Sequence, residues 1–123
     1  MGLRGAAPVA FVATTDAERA QAFYAGTLGL ELLADEPYAL VFDLAGTQLR
    51  VAKVEQLDPQ PHTVLGWTVD DVARTLDTLG IEPLRYAGME QDERGIWTSP
   101  SGALIAWFAD PDGNTLSVTQ PAP

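Results

Sequence analysis

Residues 107–118 read WFADPDGNTLSV. An apolar run enters a tight acidic turn and a second apolar run leaves it. Pro111 fixes φ near about −65° and Gly113 tolerates a positive φ, so the stretch is predicted to be a turn joining two strands, 103–109 and 114–119. Earlier in the chain, residues 41–51 read VFDLAGTQLRV. Both stretches carry a Phe, an acidic turn, a Gly and then Leu-x-Val at matching places, and the later copy has one extra turn residue. Self-similarity of this kind fixes architecture more firmly than local propensity does.

The repeat extends outward from these two hairpins. Residues 9–14 (VAFVAT) read as a strand, followed by a helix that Thr15 or Asp16 caps, with Glu18 in its first turn and Gly26 and Gly29 ending it. Strands are predicted at 30–35, 38–44 and 47–54. QLDPQPH (56–62) then reads as a linker, because proline removes ladder donors. VLGWTVDDVARTLDTLGIEPL (64–84) starts the same order again, shorter by about one helical turn. Val9 stands seven residues before Asp16, and Val64 stands seven before Asp71. Strands near 82–86, 94–99, 103–109 and 114–119 would complete the second copy. The expected fold is α+β: a single domain over 1–123 with two βαβββ modules, 8–54 and 63–120.

Composition narrows the chemistry. With 123 residues, 46% hydrophobic and 20% charged, the chain has the make-up of one ordinary globular domain. There is no cysteine, which excludes disulfides, thiolate metal sites and cysteine nucleophiles, and His62 is the only imidazole. A net charge of −10 repels phosphate backbones and anionic lipid, so neither nucleic acid nor a membrane surface is an expected partner. No secretory signal or membrane span is recognised, and a cytoplasmic location is the default. GxSxG elbows and phosphate loops are absent, and no histidine stands as base for Ser99, Ser101 or Ser117.

DAERAQAFYAGTLGLEL (16–32) and WFADPDGNTLSV (107–118), joined by the repeat, resemble the vicinal oxygen chelate superfamily, which holds glyoxalase I, extradiol dioxygenases, and fosfomycin- and bleomycin-resistance proteins. The resemblance covers residues 8–120. It implies two modules whose sheets curl into a U-shaped cleft, completed in a homodimer, and in the enzymes a divalent metal held by His, Gln or Glu from the first and last strand of each module. Carried onto this chain, those places are Val9, Arg50, Val64 and Ser117. Valine has no donor atom, arginine offers only N–H groups, and a neutral serine hydroxyl is a poor ligand without carboxylates beside it. No metal and no cofactor are therefore expected. A slip of two residues would bring His62 to the cleft, with Asp43, Gln48 or Thr115 to help it.

Period-two alternation then assigns faces. The cleft face is expected to carry Val9, Phe11 and Ala13, then Val64, Gly66 and Thr68, and Gln48, Arg50 and Ala52, then Thr115, Ser117 and Thr119, with Ile105 and Trp107. Phe11, Gln48, Arg50, Val64, Trp97, Trp107 and Ser117 are the expected ligand-binding residues, the aromatic rings able to stack on a flat ligand or attract a cation. Phe11 and Trp97 are equally able to pack on another ring or across a dimer interface, whereas Trp107 is better placed for ligand contact. Arg50 needs an internal carboxylate such as Asp43, a partner-chain acid or an anionic ligand group. GMEQDERGIW (88–97) reads as a surface loop, or as a lid placing Asp92, Glu93 and Arg94 on a ligand. The expected function is metal-free binding of a hydrophobic, aromatic or cationic small molecule, of the bleomycin-resistance type. The alternative is a glyoxalase-type lyase or dioxygenase with a displaced metal or metal-free acid/base catalysis.

Overall fold

A computed structural model describes residues 2–123, which form two compact units, one reaching to Asp58 and the other Pro59–Pro123. The fold is mixed α+β, with two four-stranded mixed sheets consistent with two βαβββ modules.

In the first unit, β1 (Val9–Thr14) leads to α1 (Ala17–Gln21), which runs on into a π-helical turn (Ala22–Thr27) before β2 (Glu31–Asp35), β3 (Ala39–Leu44) and β4 (Thr47–Lys53). The sheet order is β1-β4-β3-β2, with β1 parallel to β4 and the other pairs antiparallel. A parallel pair needs a crossover, and α1 supplies it. Asp16 is the helix cap, its carboxylate accepting from the Arg19 amide at 3.1 Å. Of the two expected caps, Thr15 and Asp16, it is Asp16 that serves, and Thr14 ahead of it donates its hydroxyl to the Asp16 carbonyl. Buried Val12, Leu40, Phe42, Leu49 and Val51 make the apolar face of the sheet, and Ala20 and Tyr24 are the buried helix residues, the rings of Tyr24 and Phe42 lying 5.8 Å apart.

The second unit repeats the order. β5 (Thr63–Thr68) precedes α2 (Val72–Leu79), then β6 (Trp97–Thr98), β7 (Leu104–Ala109) and β8 (Thr115–Gln120), arranged β5-β8-β7-β6 with β5 parallel to β8. Asp71 caps α2 as Asp16 caps α1, accepting from the Arg74 amide at 2.9 Å. Gly80, in a left-handed conformation, ends it. Val72 and Leu76 are buried where α2 packs on β7 and β8, over Ala106, Phe108, Leu116 and Val118.

The hairpin repeat is exact in register. Phe42 pairs with Leu49, and Phe108 with Leu116, although the second loop is one residue longer. The extra residue is absorbed in the turn. Ala45 and Gly46, both at positive φ, close the first hairpin while Asp43 accepts from the Gly46 amide at 2.9 Å. In the second, buried Asp110 accepts from the amides of Asp112 and Asn114 and from the Asn114 side chain, at 3.0, 2.9 and 2.8 Å.

Two expected strands differ. Residues 82–86 form none: Pro83 has no N–H, and Leu84 makes a lone backbone bond to the Trp107 carbonyl at 2.7 Å instead of a ladder. The expected strand at 94–99 is only Trp97–Thr98, because residues 92–96 are folded into a turn.

Candidate functional site

The open face of each sheet carries the candidate residues, since the opposite face is covered by core. On the first sheet Val9 pairs with Gln48 and Phe11 with Arg50, so the four side chains lie on one face. Phe11 is 62% exposed. Arg50 meets a carboxylate, but Glu36 at 2.6 Å and not Asp43; Asp43 already closes its own turn. The Gln48 side chain accepts a longer bond from Arg50 at 3.4 Å.

The second sheet has a different character. Gly66 and Trp107 both pair with Ser117, Thr68 with Thr119, and Ile105 with both Thr119 and Trp97, which puts all of these on one face. Trp97 and Trp107 lie 6.0 Å apart, and Tyr86 meets Trp107 edge-on at 5.6 Å. The indoles thus pack on each other and on a third ring absent from the residues expected for the site. Tyr86 was hidden because it precedes the strand by a loop, but Gln91 marks the device that places it. The Gln91 amide accepts from the Tyr86 N–H at 2.7 Å and donates to the carbonyls of Leu84 and Gly95 at 2.8 and 2.9 Å.

Ser117 sits in the middle of this face, 9% exposed. A Cβ on Gly66 would lie 2.5 Å from the Ser117 hydroxyl oxygen, so the absence of a side chain at 66 is what makes room for it. Val64 has no register partner, because the pairing of β5 with β8 shifts between Thr63 and Leu65.

These positions do not fit a divalent metal. On the first sheet the donor position after Val9 is a guanidinium bound to Glu36, and on the second it is a neutral hydroxyl beside an unpaired valine. His62 is exposed ahead of β5, and among the described residues no three His, Cys, Asp or Glu side chains form a group able to hold an ion.

The 88–97 loop is built from its own groups. Asp92 accepts from the amides of Arg94 and Ile96 at 2.8 and 2.9 Å, and Arg94 pairs with Asp77 of α2. Donation to the Asp77 carboxylate raises the Arg94 guanidinium pKa above its ordinary value, so that pair stays ionised. A groove of about 360 Å³ lies alongside, lined by Leu76, Asp77, Ile81, Pro83, Glu93 and Arg94 among others. No aromatic ring lines it.

The Glyoxalase/Bleomycin resistance protein/Dioxygenase superfamily model matches residues 6–118. The chain belongs to this superfamily. Several solved structures share the superfamily fold. Lactoylglutathione lyase from Agrobacterium tumefaciens is 18% identical with a TM-score of 0.68, over 94% of this chain and 93% of that one. A glyoxalase family protein from Enterococcus faecalis is 21% identical with a TM-score of 0.68, over 97% and 99%. A glyoxalase-related enzyme from Fulvimarina pelagi is 20% identical with a TM-score of 0.67, over 93% and 88%. Such identities establish the fold and no activity. No curated protein matches the chain. No helix among the described residues is long and apolar enough to cross a membrane.

Proposed function

We propose that this superfamily member is a metal-free small-molecule-binding protein of the bleomycin-resistance type, taking a flat hydrophobic or aromatic ligand on the open face of its second sheet. One observation carries the reading: Trp107 stands on a strand face flanked by Trp97, Tyr86 and Ser117, and the two places on this sheet where the resemblance puts the enzymes' metal ligands are Val64 and Ser117. Apolar burial at ~25 cal/mol per Å² and ring stacking supply affinity without any bond being made or broken. Phe11, Gln48 and Arg50 offer a second, mixed surface on the first sheet, and homodimerisation belongs to the same proposal.

Two measurements test it. Protein purified without chelator is expected to contain no stoichiometric nickel, zinc, iron or manganese, and one equivalent of any of them would refute it in favour of a glyoxalase-type enzyme. A thermal-shift screen against planar aromatic natural products and cationic antibiotics is expected to find a stabilising class. A ligand at about 100 times its Kd adds about 2.7 kcal/mol. No stabilisation by any class would count against sequestration.

A further inference from the structure

The face around Ser117 defines the ligand more narrowly than "aromatic". Three features combine. Ser117 is nine-tenths buried, yet among the described residues its hydroxyl has no hydrogen-bond partner while its oxygen still reaches the surface. It is the cross-strand neighbour of Trp107 on one side and of Gly66 on the other, so a polar atom lies beside an indole with no side chain over the adjoining strand. Finally, the paired positions of this face (Gly66, Thr68, Ile105, Trp107, Ser117 and Thr119) are all uncharged. A hydroxyl that reaches the surface with no protein partner is open to water in the free protein and to a polar group of a ligand that displaces that water. Without a charged group at these positions, the paired strands offer no ion pair to a charged ligand.

Resting on the binding function proposed above, we infer that the site selects an uncharged planar aromatic molecule carrying one hydrogen-bonding group on its edge. The ring lies against Trp107 and the edge group meets the Ser117 hydroxyl, which both donates and accepts. The net charge of −10 attracts cations to the molecule as a whole, but it does not select among ligands at this face.

Calorimetry or equilibrium dialysis with a matched probe set tests this: 2-naphthol, 2-methylnaphthalene, 2-naphthylmethylammonium and 2-naphthoate, on the full chain and on the Ser117→Ala and Trp107→Leu variants. The native chain is expected to bind 2-naphthol about fivefold tighter than 2-methylnaphthalene, the worth of one neutral hydrogen bond. Ser117→Ala is expected to abolish that preference while leaving 2-methylnaphthalene unchanged, and Trp107→Leu to weaken both neutral probes alike. Equal binding of the two neutral probes, a preference that survives Ser117→Ala, or tighter binding of either charged probe would overturn this inference and leave aromatic binding standing. Failure of all four probes to bind would remove the binding function itself.

Discussion

The close approach of β5 and β8 makes Gly66→Ala a sharp test of the geometry. Glycine in a strand ordinarily costs conformational entropy, so replacing it by alanine gains about 0.5–1 kcal/mol wherever the new methyl fits. Here the methyl carbon would meet the Ser117 oxygen at 2.5 Å and the Ser117 carbonyl oxygen at 3.3 Å. Rotating Ser117 about χ1 relieves the first contact at about 1 kcal/mol, but the second is backbone and moves only with the strand. Overpacking of this kind costs about 1–3 kcal/mol, so after the entropy gain Gly66→Ala is expected to destabilise by about 1–2 kcal/mol. Ser117→Ala removes only the hydroxyl, and in that background Gly66→Ala is expected to cost less than about 0.5 kcal/mol. Urea unfolding of the four proteins of the cycle gives the coupling directly, expected near 1 kcal/mol in magnitude. Neutral or stabilising Gly66→Ala, or a coupling below about 0.3 kcal/mol, would refute the placement of Ser117 over Gly66.

Other outcomes follow from the turns, caps and loop. Ala45 holds φ at 51° ahead of Gly46 in the first hairpin. Ala45→Asn or Ala45→Gly is expected to raise the urea midpoint, by about 0.5–1 kcal/mol in stability. Asp71→Ala removes the acceptor at the start of an eight-residue helix and is expected to cost about 1 kcal/mol, with Asp71→Ser largely restoring it in the same assay. Gln91→Leu breaks three hydrogen bonds and is expected to cost about 2 kcal/mol. It is also expected to speed amide exchange in residues 84–95 and to alter the near-ultraviolet dichroism of Trp107, which Tyr86 touches; unchanged dichroism would show that Gln91 does not position that ring. Arg50→Met is expected to change stability by less than about 1 kcal/mol and in a salt-dependent way, because its pair with Glu36 is partly exposed.

Local chemistry made much of this molecule legible. The Asp16 and Asp71 caps, the Phe and Leu-x-Val frames around each acidic turn, and the alternation that puts Phe11, Gln48 and Arg50 on one face all depend on residues a few positions apart, whose geometry the backbone fixes. The misreadings lie where the partner is distant in sequence or one residue disturbs a regular pattern. Residues 82–86 have strand-like composition, yet Pro83 and the reach of Gln91 leave them as a loop that carries Tyr86 to Trp107. Val64 loses its partner to a register shift that no alternation records.

The amino-acid order alone determined two copies of a strand, helix and hairpin pattern, and that Val9 and Val64 carry no donor atom and Arg50 only N–H groups. Such properties are set by residue chemistry and short-range periodicity. Tertiary structure alone decided that Glu36 takes the Arg50 charge, that three rings gather on one sheet face, and that the Ser117 hydroxyl lies over an empty position at Gly66. Each of these depends on which strands become neighbours and in what register, and a displacement of one residue would turn the strand side chains among them, Arg50, Trp97, Trp107 and Ser117, to the opposite face.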